Sequence, residues 1–161
     1  SPAVLPTVLS VGAIAHTGTQ PAASYPGTPP AWPGPYLPAF TPAGPGVDLV
    51  APGAAIITTA LGDDYTSADG TALAAAHVTG LAALMLAHHD QLRTTPQPRS
   101  GTRVQHLYTL LRAACRPLPG LSPDRTGAGL PDAPTALGLK VPTPTFSASA
   151  PWQPTGNPSP N

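Results

Sequence analysis

Residues 21–45, PAASYPGTPPAWPGPYLPAFTPAGP, hold nine prolines in 25 positions and no Asp, Glu, Lys or Arg. Proline has no amide hydrogen to donate and pushes its predecessor toward extended conformations, so neither a helix nor a regular ladder is expected through such a segment. A polyproline-like surface loop is predicted instead. Any core must then be assembled from the sequence on either side. Tyr25, Trp32 and Tyr36 would suit the aromatic grooves that take polyproline ligands, but a surface insertion is the simpler reading.

On the upstream side, residues 7–14 (TVLSVGAI) form a short β-branched run suited to a strand buried on both faces. Downstream, Val47-Asp48-Leu49-Val50-Ala51 stops at Pro52-Gly53, and residues 55–59 give a further extended run. Residues 61–69 are polar and turn-rich. They lead into the most helical passage, where Leu73, Ala74, His77, Val78, Leu81, Leu84, Met85 and His88 recur at helical spacing behind the capping oxygens of Asp69 and Thr71. So little charge and so much alanine predict a helix buried in a large core. The uncharged run of residues 71–87 falls just short of a bilayer span, and no membrane crossing is expected.

A Pro/Ser/Gly linker at residues 95–101 precedes a second helical pattern through Val104, Leu107, Tyr108, Leu110, Leu111 and Ala114, which ends at Cys115-Arg116-Pro117. Residues 132–137 suit a short closing helix. Residues 140–161 contain six prolines among Ser, Thr, Ala and Gly, too little apolar surface to order themselves. The expected organisation is one domain over residues 1–139, with the insertion at 21–45, followed by a tail or linker.

Charge narrows the function. There is no Glu, and seven Asp balance six Arg and one Lys to a formal net charge of zero. Without a basic face, a nucleic-acid partner is not expected. The one cysteine, Cys115, has no internal disulfide partner and reads as a small core filler. The start lacks Met and a basic leader, so the chain reads as processed or truncated there. His88-His89-Asp90 is a poor metal set because adjacent helical residues point apart. Asp63-Asp64 lacks the oxygen-rich spacing of a calcium loop.

Four stretches, in order, carry a resemblance: PTVLSVGA at residues 6–13, GVDLVAPGAAI at 46–56, GTALAAAHVTGLAAL at 70–84, and GAGLPDA at 127–133. They resemble the C-terminal half of subtilisin-like serine proteases, the subtilase family. The first is like the strand after the oxyanion-hole Asn, the second like the family's VD-x-x-APG-x-x-I, and the third like the nucleophile motif G-T-S-x-A-x-P-H-V-x-G-x-A-A-L. This resemblance implies a three-layer α/β fold with a mostly parallel sheet and a central buried helix, here incomplete.

Ala72 stands where the motif has its nucleophilic Ser, and Ala76 where it has Pro; Gly70, Thr71 and His77 match. The family's catalytic Asp and His and its oxyanion Asn lie upstream of the matched region. A methyl group cannot attack a carbonyl, although the Ala72 amide can still serve an oxyanion hole. His77 reads as a structural histidine, Asp69 as a cap and Asp48 as a hydrogen bonder.

The resemblance therefore implies part of a serine endopeptidase that is inactive as written. The alternatives are a natural pseudoprotease, serving as a binding or scaffold module, and a Pro-rich structural protein, against which the ordered apolar runs speak. Expected partners are the N-terminal half of the domain and a polypeptide substrate or ligand. No cofactor is expected; subtilases often bind structural calcium, but the sequence favours no calcium site here. The family suggests secretion or a cell-surface location.

Overall fold

The computed structural model describes residues 5, 7–16, 34–93 and 100–139. The expectations for Tyr25, Trp32 and the tail at 140–161 lie outside the described residues. The central sheet has the order β2-β1-β3, from β1 (Val11–His16), β2 (Pro35–Tyr36) and β3 (Leu49–Pro52). β1 and β3 run parallel, with Val11 opposite Leu49 and Ala13 opposite Ala51. Side chains alternate across a strand, so Ala13, Leu49 and Ala51 face one core while Ile14 and Val50 face another.

β1 starts four residues later than the apolar run suggested. The Val8 amide turns back to the Leu5 carbonyl at 3.0 Å. The Ser10 amide is taken by the Asp48 carboxylate at 2.7 Å instead of by a neighbouring strand.

The expectation that no ladder enters the Pro-rich insertion needs correction at its end. Pro35 and Tyr36 pair antiparallel with His16 and Ala15. Proline is tolerated there because the pair lies at a sheet edge. Beyond it, buried Thr41 acts as a further strand partner: its hydroxyl accepts from the Ala13 amide at 2.6 Å and donates to the Ala13 carbonyl at 2.7 Å.

A second correction concerns residues 61–69. β4 (Ile56–Ala60) and β5 (Asp64–Ala68) form an antiparallel hairpin, with Thr59 opposite Tyr65. Its turn holds Gly62 at φ 80° and Asp63 at φ 57°, the left-handed conformations of a tight hairpin.

The long helix α1 spans Thr71–His88, close to the predicted run. It is buried along one stripe only, through Ala74, Val78 and Met85, and not all round as its composition suggested. That stripe packs on β1 and β3. By length and apolarity alone α1 would pass for a membrane span. A short α2 (Asp90–Arg93) follows, and α3 (Gly101–Ala113) is capped by Ser100, whose Oγ accepts the Arg103 amide at 3.3 Å. Leu107 and Leu111 of α3 complete the core beneath α1.

The far face of the sheet is covered by Leu37, Leu118, Leu121 and Leu130 around Ile14, Val47 and Val50. The result is helices, sheet and a covering layer of loops and short elements: β6 (Cys115–Arg116), α4 (Pro123–Thr126), β7 (Leu130–Pro131) and α5 (Ala133–Ala136). The Gly127-Ala128-Gly129 segment lies along β3, with the Ala128 amide on the Asp48 carbonyl at 2.8 Å and the Val50 amide on the Gly129 carbonyl at 3.0 Å. Gly127 has φ 55°, and a Cβ there would run into the Asp48 backbone.

Candidate functional site

The parallel strands β1 and β3 end where α1 begins. The Gly53 amide, just past β3, donates to the Ile14 carbonyl at 3.0 Å, and the Gly70 amide donates to the Gly53 carbonyl at 2.8 Å. This contact needs a bare glycine: a Cβ on Gly53 would lie 2.7 Å from the Ala13 Cβ and 2.8 Å from the Gly70 carbonyl oxygen. The helix N-terminus is thereby fixed over the carboxyl ends of the strands, the place where open α/β sheets bind ligands.

Within the first turn, the Leu73 and Ala74 amides reach back to the Gly70 carbonyl at 3.2 and 3.4 Å. The amides of Thr71 and Ala72 have no acceptor among the described residues. A helix start leaves such donors free, and with the helix dipole they favour negative charge in front of them. Ala72 is exposed on this turn and Thr71 is half-buried.

Asp69 does not cap the helix as the sequence suggested, since α1 has no side-chain cap. Its Oδ1 accepts the Ala55 amide at 2.6 Å. Ala55 has φ 53°, a left-handed conformation unusual for a residue with a Cβ, so the bond holds a turn that the chain would otherwise resist. Tyr36 also feels this corner: burial, then the Asp69 charge, raise its phenol above the ordinary range. Sequence reasoning missed both roles, because each depends on a contact between segments far apart in the chain.

His77 is exposed, not turned inward, and its Nδ1–H donates to the Leu73 carbonyl one turn back at 2.9 Å. Five residues along a helix is a rotation of about 140° and a rise of about 7.5 Å, so His77 and Ala72 leave the helix in different directions. Gly70, Thr71 and Ala72 therefore lie together at the start of α1, and His77 leaves the helix in another direction. Asp48 is the hydrogen bonder expected: Oδ1 accepts from Arg112 Nη2 at 2.8 Å and Nε at 3.2 Å.

Among the described residues no group of three or more His, Cys, Asp or Glu is placed to hold a metal ion. The His89 Nδ1 accepts the Gln91 amide at 3.2 Å, and Asp64 Oδ1 accepts the Tyr65 amide at 2.7 Å. These atoms are engaged in local turns.

The fold has recognisable relatives. The model of the Subtilase family, Peptidase S8, matches residues 1–131, and the chain belongs to that family. Among solved structures it is similar to MycP1 from Mycobacterium smegmatis, with 27% identity and a TM-score of 0.55 over 98% of this chain and 36% of that one. The patellamide maturation protease PatA gives 26% identity and a TM-score of 0.60 over 85% of this chain and 44% of that one. Fervidolysin from Fervidobacterium pennivorans, a keratinolytic enzyme related to subtilisin, shares the fold at 23% identity and a TM-score of 0.60, over 88% of this chain and 20% of that one. No curated protein matches. The chain thus spans less than half the length of these solved structures, as a partial subtilisin-like α/β domain does.

Proposed function

We propose that the chain is one part of a subtilisin-type serine endopeptidase, cleaving peptide bonds of polypeptides, and that with Ala72 it is catalytically silent. The observation that carries this reading is the placement of Ala72, exposed at the start of α1 over the carboxyl ends of β1 and β3. In this geometry the chain's own contribution is positional. Gly53 and Gly70 lock the helix start, the Ala72 amide is available to a carbonyl oxygen gaining charge, and position 72 is where a hydroxyl would attack. The general base, the residue that orients it and the side-chain oxyanion donor come from the N-terminal half of a subtilase domain, which is the proposed partner.

The remaining assignments follow the same reading. Residues 1–139 form the partial domain and residues 140–161 a linker or tail. The location is secreted or at the cell surface, as the family and the Thr/Pro-rich tail suggest. The substrate or ligand is a polypeptide and not a nucleic acid, in keeping with a net charge of zero. No cofactor is assigned to the described residues.

A second reading, a pseudoprotease that binds polypeptides in a retained cleft, is favoured by the second departure in the same motif, Ala76 in place of Pro. One experiment separates the two. The chain and its Ala72→Ser variant are each mixed with the N-terminal half of a subtilase domain and incubated with an unfolded protein substrate. Cleavage by the Ser variant alone supports the peptidase reading; a folded complex without cleavage supports the pseudoprotease.

A further inference from the structure

The β4–β5 hairpin presents an outward face with large apolar side chains exposed. Opposed residues of an antiparallel pair share a face, so Ile57, Thr59, Tyr65 and Ser67 stand on one side. Ile57 is 69% exposed and Tyr65 71%, with Leu61 at the turn 99% exposed. An outward hairpin face is ordinarily polar, which keeps the free strand edges from pairing with other chains. The hairpin also packs substantially on no other described element, and a two-stranded ribbon left to itself is marginal in water.

Charge says what fits there. Asp63 stands in the turn and Asp64 directly after it, both exposed, and among the described residues neither is in an ion pair. Residues 1–92 contain no Lys or Arg at all. The face therefore carries Ile57 and Tyr65 alternating with the hydroxyls of Thr59 and Ser67, and it ends at Leu61 and two exposed carboxylates. Its base runs straight into the candidate site, since Ala68 is followed by Asp69, which holds Ala55, and then by the start of α1.

We propose that this hairpin is a docking face for an extended polypeptide with apolar residues at alternate positions and a Lys or Arg beside Asp63 and Asp64. Such a segment would add a strand to the open hairpin edge, its backbone giving affinity and its alternate side chains meeting Ile57 and Tyr65. The proposal concerns binding and does not require that the chain be part of a peptidase.

The test uses the whole chain and a fluorescent peptide of about ten residues alternating Val and Lys, read by anisotropy. Saturable binding is expected, weakened about tenfold or more by Tyr65→Ser, by Leu61→Ser and by Asp63→Asn with Asp64→Asn, each change being worth at least ~1.4 kcal/mol at that fold-change. Raising the salt weakens it as well, and a Val/Glu peptide does not bind. Leu61 is so exposed that its replacement leaves the fold intact, which keeps the test valid if another variant unfolds. Equal binding of the Lys and Glu peptides, or no effect of Leu61→Ser and the Asn pair, overturns the proposal. So does dimerisation of the chain abolished by Leu61→Ser, which makes a second copy the occupant.

Discussion

Asp69 holds Ala55 across 14 residues of sequence, its Oδ1 accepting the Ala55 amide at 2.6 Å. The bond closes the base of the β4–β5 hairpin and stands one residue before the glycine that opens α1. A local turn and the candidate site are thus tied to the same carboxylate.

Replacing Asp69 by Ala leaves the Ala55 amide without its partner in a left-handed turn. The expected loss is about 1–3 kcal/mol in urea unfolding, with Asp69→Asn retaining part of it. Amide exchange at Ala55 accelerates in the Ala variant. Unchanged protection there would mean that the turn holds itself.

Gly53→Ala places a methyl group 2.7 Å from the Ala13 Cβ and 2.8 Å from the Gly70 carbonyl oxygen. Backbone has to move, and overpacking of this kind costs about 1–3 kcal/mol or more. The melting temperature should fall, and NMR shifts should change at Gly70 through Ala74 before anywhere on α3.

The Asp48 carboxylate accepts three hydrogen bonds from two distant residues: the Ser10 amide at 2.7 Å and two bonds from Arg112, the nearer at 2.8 Å. Both partners of the ion pair are partly exposed, at 37% for Arg112 and 25% for Asp48. Solvent screening then limits the pair itself to about 1 kcal/mol. A double-mutant cycle with Asp48→Asn and Arg112→Gln should give that coupling, while Asp48→Ala alone costs more because Ser10 also loses its acceptor.

Burial pushes the Cys115 thiol up to about 11, with the Arg112 guanidinium pulling the other way. A thiol whose folded value lies above its unfolded one, about 8.5, favours the fold fully below pH ~8.5. That contribution is lost as the pH rises through about 11. The melting temperature of the chain should therefore fall over this window, and fall less in Cys115→Ala. Alkylation at pH 8 should be slow, since little thiolate is present.

How far these features could be read in advance follows from where the information sits. α1 was legible because Leu73, Val78, Leu81 and Met85 repeat at helical spacing, and β3 because an apolar run stops at Pro52-Gly53. Its one-sided burial was not legible, since alanine looks alike on a core face and an open one. β5 was missed because an exposed strand such as DYTSA has no apolar alternation to betray it, though Gly62-Asp63 after the β-branched run IITT was a usable turn signal. Thr41 and Tyr36 acquired their roles by landing against β1 from the end of a Pro-rich segment, and Asp69 by facing Ala55. Local pattern carries no trace of such contacts. The position of Ala72 was legible because a helix start after Gly70-Thr71 is a local event.

The most direct test of the central claim is labelling of the Ala72→Ser variant, completed by the N-terminal half of a subtilase domain, with a fluorophosphonate that reacts only with activated serine hydroxyls. Covalent label at position 72, absent from the Ala72 chain under the same conditions, is the result expected if this helix start presents the nucleophile. A folded complex that takes no label would contradict it.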